Sequence, residues 1–360
     1  MAPQILITGA TGFIGRQLAR DLVARGEPVR ILARDRAKAR DLFGDTVEIS
    51  SGRLEDAASV ARACRGADVI YHIAGSYRFG LRHGRELWRT NVEGAETVLR
   101  AAAEAGAGRV VHLSSGGVLA KSGPGAPGDA LLDETDFPAA APRFSAYKAS
   151  KWHAERRVLA WAKRGLPVSI ASTTCPIGAG DDLPTSTGRM VLDFLRGRFP
   201  FYCHTGLNFV HVEDLSRGLR LVAEHGRPGE RYLLGHENLW LKDFLNLLAR
   251  ETGLPAPEIC LPGALVRVIG CAGEVADLLN PRSRNAHVCL ETALQAGRVQ
   301  FFRHDKARAE LGWEPRHSIQ RGIRDAVHWF RQQSNDVAAP ISLPRPVPAP
   351  EPSSAASHVR

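Results

Sequence analysis

The chain has 360 residues, 44% of them hydrophobic, which is enough to bury the core of one large domain or of two unequal ones. Its net charge of +9 comes mainly from arginines spread along the whole sequence, and the absence of any block of like charges argues against a nucleic-acid-binding protein. No apolar stretch is long enough for an integral membrane segment and the apolar run near the N-terminus is too short for a signal peptide, so we expect a cytoplasmic protein.

The cysteines are far apart in the sequence and include no Cys-x-x-Cys pair. This spacing argues against both a metal site and a disulfide framework. We therefore expect reduced and mostly buried thiols at the six positions Cys64, Cys175, Cys203, Cys260, Cys271 and Cys289.

The chain begins with a pattern of strand, glycine turn and helix. Residues 5–8 are predicted to form a short buried strand, and an apolar-periodic helix follows the glycines at once. Gly9 and Gly12 allow the backbone to turn tightly and approach a pyrophosphate, while Gly15 allows the helix to pack on the strand. The sequence therefore predicts dinucleotide binding at this turn.

The second predicted strand, residues 28–32, ends near the place where such a fold meets the adenosine ribose. Arg34 stands at that end, with further basic residues behind it, so a 2′-phosphate would meet cations. The sequence thus favours NADP over NAD, although NAD stays open because Asp35 is adjacent.

Strands and helices then alternate, which predicts a Rossmann-type, doubly wound parallel sheet of the α/β class. Further strands are expected at residues 47–49, 68–75, 109–113 and 168–171, the last of which would close the first domain. Ser115 follows the strand at 109–113 and could donate to a substrate oxygen, because strand ends of this kind face the ligand crevice.

A helix through Tyr147 and Lys151 is where we expect the chemistry. The two side chains would leave the same face one turn apart, placing an ammonium beside a phenol. A fixed cation favours phenolate and brings the phenol's pKa toward the working range.

The remaining sequence predicts a smaller C-terminal substrate domain. We expect a dinucleotide-binding domain over residues 1–175, a substrate domain over 176–334 that interleaves with it, and a disordered tail over 335–360, which is rich in Pro, Ala and Ser. Helices of the second domain are predicted at residues 190–195, 212–224, 241–251, 264–279 and 319–331.

Taken together, these motifs resemble the extended short-chain dehydrogenase/reductase family, the NAD-dependent epimerase/dehydratase group. The likeness spans residues 5–330 and is strongest to the branch of hopanoid-associated sugar epimerases and dihydroflavonol reductases. It is carried by the segments Thr8–Gly15, Asn91–Gly94, Pro176–Gly178, Thr187–Arg189, Asn208–Asp214 and Pro228–Tyr232.

The resemblance implies a role for each matching residue. Tyr147 would be the general acid/base, Lys151 would hold the nicotinamide ribose, and Ser115, with Ser114 as the alternative, would polarise the carbonyl. The residues implied to bind the cofactor are Gly9, Gly12, Phe13, Ile14, Gly15, Arg34, Leu54, Ala74 and Lys151. Gly52-Arg53-Leu54 departs from the family's Gly-Asp-Leu, so the contact of that Asp with adenine is lost or replaced.

Three functions stay open at this point. The favoured one is an NAD(P)-dependent oxidoreductase acting on a secondary alcohol or ketone of a small molecule, including a bulky, lipid-like one of sterol, terpenoid or flavonoid type. A nucleotide-sugar epimerase, with Arg189 holding a diphosphate, is the alternative, and an NADP-sensing protein without catalysis is less favoured. The apolar helix at 264–279 would cover a large substrate or simply pack in the core. A homodimer and docking on a membrane surface are not decided.

Overall fold

The computed structural model describes residues 4–120, 131–279 and 293–334. Its centre is a seven-stranded sheet in the order β10-β6-β5-β4-β1-β2-β3, with parallel pairing throughout. The strands are β1 Ile5–Thr8, β2 Val29–Ala33, β3 Glu48–Ser51, β4 Val69–His72, β5 Arg109–Ser115, β6 Val168–Thr173, β7 Cys175–Ile177, β8 Phe201–Tyr202, β9 Gly206–His211, β10 Arg231–Leu234, β11 Glu237–Trp240 and β12 Ile259–Cys260. The expected doubly wound parallel sheet is confirmed.

Helices cover both faces of this sheet and surround a smaller one. They are α1 Phe13–Ala24, α2 Arg36–Phe43, α3 Ala57–Cys64, α4 Gly84–Leu87, α5 Gly94–Glu104, α6 Ala146–Lys163, α7 Ser186–Leu195, α8 Val212–His225, α9 Leu241–Thr252, α10 Gly263–Leu279, α11 Asp305–Leu311 and α12 Ile319–Ser334. A π-helical stretch, Trp88–Glu93, joins α4 to α5. Within the described ranges, no helix is long and apolar enough to cross a membrane.

The core consists of two layers, one on each face of the sheet. Ile5 and Ile7 of β1 pack with α1 and α8, whereas Leu6 between them packs with α3, α5 and α6. Adjacent strand residues point to opposite faces, so a strand that is apolar at every position is buried on both. This explains why Ile5, Leu6 and Ile7 are all buried, whereas the buried hydroxyl of Thr8, the last residue of β1, lies 2.8 Å from Nδ1 of His72.

The direction of the strand order reverses between β1 and β4, since β2 and β3 lie on one side and β5, β6 and β10 on the other. Ligands of doubly wound folds bind outside the carboxyl ends of the strands at such a point. The glycine turn after β1 and the end of β4 therefore border the expected crevice.

The second part of the chain contains a three-stranded sheet, β7-β9-β11, packed with α7, α9 and α12 around its own apolar cluster. It also returns to the large sheet, because β10 pairs in parallel with β6. The edge strand of the large sheet on this side is therefore β10 and not β6. The segment Arg231–Leu234 is short and begins with a charged residue. Its other three side chains are fully buried, and Arg231 can be buried with them because it pairs with the buried Glu155.

The expectation of mostly buried thiols is wrong for the described cysteines, of which only Cys64 is fully buried. None of the cysteines that the structure describes is in a disulfide, but Cys260 and Cys271 are exposed rather than buried. Cys271 is exposed because it lies on the outward side of α10. The disordered tail expected at residues 335–360 and Cys289 lie outside the described residues.

Candidate active site

The turn after β1 is shaped by close backbone approaches. Gly9 has a φ of 79°, in the left-handed region that favours glycine, and a Cβ there would lie 2.7 Å from the Cα of Ala74. A Cβ on Gly15 would lie 2.3 Å from the carbonyl oxygen of Gly9. Side chains at these positions would push apart the turn, α1 and the end of β4, so the sequence places glycine where the backbone has no room.

The start of α1 is suited to an anion. α2, α3 and α6 are capped by the side chains of Asp35, Asp56 and Ser145, whereas among the described residues no side chain caps α1 at Gly12. The first N–H groups of a helix need an acceptor, and the helix dipole favours a negative one. Phe13, Ile14 and Gly15 form this first turn, so the chain's own residues fit the pyrophosphate of a dinucleotide.

The end of β2 presents a cation where the adenosine ribose is expected. Arg34 is exposed there, while the adjacent Asp35 accepts a hydrogen bond from the backbone N–H of Lys38 at 2.9 Å as the cap of α2. Lys38 also lies 3.7 Å from Asp182, which pairs with the buried Arg16 of α1. Asp35, whose carboxylate left the choice between NADP and NAD open, therefore caps helix α2.

Leu54 and Arg53 take different positions. Leu54 is buried and lies against Gly94 at the start of α5, whereas Arg53 is exposed. The backbone of Arg53 is held by the Ser59 hydroxyl, 3.2 Å from both its nitrogen and its oxygen. The structure therefore fixes the backbone of this segment, and it leaves the Arg53 side chain facing outward where the related family has an Asp.

Tyr147 and Lys151 lie in the first turns of α6. The Ser145 hydroxyl accepts from the Lys148 N–H at 3.0 Å, so the helix begins one residue after it and Tyr147 falls in the first turn. The Tyr147 ring is half-buried and meets the Phe79 ring edge to face, with the ring centroids 5.4 Å apart.

Lys151 is buried, with 7% of its surface exposed, and its ammonium donates to the carbonyl oxygen of Leu113 at 3.0 Å. Burial lowers the pKa of this lysine to about 8, and the charge of Glu155 opposes that shift. A carbonyl at the end of β5 thus fixes the ammonium, on the helical face it shares with Tyr147.

Asn91, whose role the sequence motif did not reveal, ties three segments together. Its amide nitrogen donates to the Ser150 hydroxyl and to the Ser76 carbonyl, both at 2.9 Å, and its oxygen accepts from the Ser76 N–H at 2.7 Å. The Ser150 hydroxyl in turn donates to the carbonyl oxygen of Tyr147 at 2.7 Å. A single buried amide therefore holds the segment after β4 against the first turn of α6.

The two serines that end β5 have different surroundings. Ser114 is buried and donates to Glu155, which is also buried and pairs with Arg231. Ser115 is half-buried, and its hydroxyl accepts from the Gly117 N–H at 3.1 Å. Lys148, beside Tyr147, also approaches Gly117, so Ser115 lies at the same end of α6 as Tyr147. Ser114 is committed to the core network, and Ser115 is the serine nearer the crevice.

Two histidines lie beneath this site and carry no sequence signal. His72 and His112 are buried on adjacent strands with their rings 5.1 Å apart, and the Thr8 hydroxyl lies 2.8 Å from Nδ1 of His72. Burial and the charge of Lys151 lower the pKa of His72 to about 3 and that of His112 well below its usual value. Both imidazoles are therefore neutral at working pH, and they add no positive charge below Lys151.

Known proteins are similar to this chain over most of its length. Residues 5–235 match the NAD dependent epimerase/dehydratase family. A Synechocystis protein named for dihydroflavonol 4-reductase activity is 34% identical over 92% of this chain and 95% of its own length. Sterol demethylase protein B of Methylococcus capsulatus is 32% identical over 91% of this chain and 98% of its own.

Solved structures are similar to this chain in both fold and sequence. The crystal structure of gox2253 is 34% identical, covers 91% of this chain and 98% of its own, and has a TM-score of 0.75. A nucleoside-diphosphate-sugar epimerase from Pseudomonas aeruginosa, PA4631, is 26% identical over 92% of this chain and 99% of its own, also with a TM-score of 0.75. The proteins similar to this chain thus include one named as a reductase and one named as an epimerase.

Proposed function

The chain belongs to the NAD-dependent epimerase/dehydratase family and is an NAD(P)-dependent oxidoreductase, and from that premise we propose that it reduces a ketone, or oxidises the matching secondary alcohol, on a bulky apolar small molecule with NADP(H). The proposal assigns Tyr147 as general acid/base, Lys151 as the cation that supports it and Ser115 as the donor to the substrate oxygen. The buried, fixed ammonium of Lys151 at the end of β5, one turn from Tyr147, is the observation that carries it.

The chain's residues divide the work as follows. The nicotinamide, when bound, supplies or accepts the hydride. The Ser115 hydroxyl donates to the substrate oxygen and polarises the carbonyl. Tyr147 gives its phenolic proton to the same oxygen during reduction and takes it back during oxidation. Charge then develops on the phenol oxygen, and the Lys151 ammonium stabilises it in a site where burial strengthens the interaction.

A bulky apolar substrate is supported by three relatives of at least 30% identity. Two are the proteins named for dihydroflavonol 4-reductase and sterol demethylation, and the third is a ketoreductase of a farnesylated dihydroquinoline oxide from Stigmatella aurantiaca, 31% identical over 88% of this chain and 93% of its own. Their names describe multi-ring or isoprenoid molecules. In this chain, Phe79 contributes an aromatic ring beside Tyr147, in keeping with a substrate of that kind.

The test of the catalytic assignment is Tyr147→Phe, which removes the proton donor and keeps the ring. We expect kcat/KM to fall by about 10²-fold or more, because general acid/base groups contribute that much, while NADPH affinity stays unchanged. Tyr202→Phe, at a half-buried tyrosine in β8, is the matched control and should keep full activity. Full activity in Tyr147→Phe would refute the role given to Tyr147.

The preference for NADP rests on Arg34. Replacing it with alanine removes the exposed guanidinium at the end of β2, and we expect the ratio of NADPH to NADH affinity to fall by about tenfold, the value of one charge-assisted hydrogen bond. Arg36→Ala is the control, since Arg36 donates to the carbonyl oxygen of Ile49 at 3.2 Å. An unchanged ratio of NADPH to NADH affinity in Arg34→Ala would show that Arg34 does not set the preference for NADP.

A nucleotide-sugar epimerase is the second candidate, favoured by the likeness to PA4631. Arg189 is exposed at the start of α7 and would be its diphosphate ligand. The two functions differ in stoichiometry, because an epimerase returns the hydride to the same substrate. Turnover of sterol or flavonoid ketones with equimolar loss of NADPH absorbance supports the reductase, and isomerisation of a nucleotide sugar without that loss supports the epimerase. We place either enzyme in the cytoplasm.

A further inference from the structure

Helix α10 carries its apolar residues on the side that faces away from the protein. The exposed fractions are 46% for Leu265, 65% for Val268, 37% for Ile269 and 54% for Val275. At 100° per residue these four side chains share one face, as do the exposed Ala264, Cys271 and Ala272. The outward face thus presents a continuous apolar stripe, the reverse of the usual surface helix.

The opposite face of α10 is the one that packs against the protein. Val266 is 6% exposed and forms a small cluster with Ala293 and Ala296. Glu274, at 5% exposure, lies on the same inward face, and a Cβ on Gly80 would be 3.5 Å from its carboxylate. An acid turned inward and a row of aliphatic side chains turned outward indicate that the outward face meets an apolar environment.

More exposed apolar groups lie near the segment Tyr77–Gly80, which reaches α10 at Gly80. Phe79 beside Gly80 contacts the Tyr147 ring, and Tyr77 is exposed and donates from its hydroxyl to the carbonyl oxygen of Leu183. Leu183 is 70% exposed, and Phe144, just before α6, is 72% exposed. The segment Tyr77–Gly80 therefore connects the candidate active site to α10, with large apolar side chains exposed around it.

The same region is basic. Arg78, Arg82 and Arg85 are exposed, and each lies within a few residues of the Gly80 contact with α10. Glu86 is the acid of this segment and pairs with Arg78 at 3.3 Å. Exposed arginines and exposed apolar side chains in one region are the pattern of a protein surface that lies in a lipid interface, where the apolar groups enter the acyl boundary and the arginines meet anionic headgroups.

From this we infer that the outward face of α10, with Tyr77, Phe144, Leu183 and the exposed Arg78, Arg82 and Arg85, docks on the surface of an anionic lipid bilayer. The mouth of the Tyr147 site would then open at the lipid interface, so an apolar substrate could pass between membrane and enzyme without crossing water. The inference does not depend on the chemistry assigned to Tyr147, because it rests on exposed side chains outside the catalytic groups.

Co-sedimentation with vesicles tests the docking surface. We expect the full chain to bind vesicles of phosphatidylcholine and phosphatidylglycerol more tightly than vesicles of phosphatidylcholine alone, with the binding weakened by salt. Val268→Glu should lower the partition coefficient by about tenfold or more, because a carboxylate is excluded from the acyl boundary. Ala103→Glu is the matched control, with the same charge change at an exposed position of α5, a helix that packs against α3 and α6.

The outcomes separate the possible partners of this face. Loss of vesicle binding in Val268→Glu, with unchanged melting temperature and NADPH affinity, supports the inference, as does wild-type vesicle binding by Tyr147→Phe. Absence of binding to either vesicle, equal binding to both, or binding unchanged in Val268→Glu would overturn it. So would a homodimer that Val268→Glu dissociates, because the stripe would then be covered by a second copy.

Discussion

Replacing Lys151 with methionine should make the protein more stable while it abolishes turnover. The lysine carries its charge at 7% exposure, and burial lowers its pKa from 10.5 to about 8. At about 1.4 kcal/mol per pKa unit, this shift means that the charged form costs the folded state about 3 kcal/mol at neutral pH. Methionine has a similar length and removes that cost, but it loses the hydrogen bond to the Leu113 carbonyl, worth about 1 kcal/mol. We expect a net gain of about 2 kcal/mol at pH 7.

The stability difference between Lys151→Met and the wild type should change with pH in a definite direction. The folded-state pKa is lower than the unfolded one, so between about pH 8 and 10.5 the unfolded chain keeps a proton that the folded chain has released. The stability contributed by this group in the wild type therefore rises with pH across that window. The advantage of Lys151→Met should be largest below pH 8 and should disappear toward pH 10.5.

The measurement is denaturant unfolding of both proteins without cofactor, followed by tryptophan fluorescence at pH 7 and at several values up to 10. Taking the difference between the two proteins cancels the other titrating groups. Lys163→Met, at the exposed end of the same helix, is the control and should change stability little at either pH. A variant less stable than wild type at pH 7, or an advantage that is the same at pH 10, would refute the reasoning about the buried ammonium.

Two further predictions concern the turn and the serines. Gly9→Ala and Gly66→Ala both force a side chain into the left-handed region, with φ values of 79° and 70°, at a cost of about 1 kcal/mol or more each. The new Cβ of Gly9→Ala also lies 2.7 Å from Ala74, whereas a Cβ at Gly66 meets nothing. Gly9→Ala should therefore lose more stability than Gly66→Ala and bind NADPH more weakly. Equal effects of the two substitutions would contradict the tight turn. Ser114→Ala should cost about 1–2 kcal/mol of stability, because one oxygen of the buried Glu155 loses its donor while the other keeps Arg231. Ser115→Ala should lower kcat/KM about tenfold or more with stability nearly unchanged. The opposite pattern, read from unfolding curves and initial rates, would assign the substrate contact to Ser114.

The fold was largely predictable because its signals are local. A strand with three successive apolar residues, glycines at 9, 12 and 15, and a helix at the right distance can be predicted from neighbouring residues, since each depends on short-range backbone geometry. The spacing of Tyr147 and Lys151 is of the same kind, and the structure places both on one helix beginning at Ala146.

Other features depend on contacts between residues that are far apart in the sequence, so only the tertiary structure decides them. β10 joins the large sheet by pairing with β6, and its Arg231 is neutralised there by Glu155 of α6. The same Glu155 binds Ser114 in the core and leaves Ser115 nearer the crevice. The apolar pattern of α10 is equally compatible with a core helix and with a surface helix. Periodicity shows which residues share a face of the helix, but it does not show which face the rest of the protein buries. The sequence thus determined the glycine turn after β1 and the spacing of Tyr147 and Lys151. Packing determined the charge environment of Lys151 and the outward apolar face of α10, because burial depends on neighbours that the chain brings together only on folding.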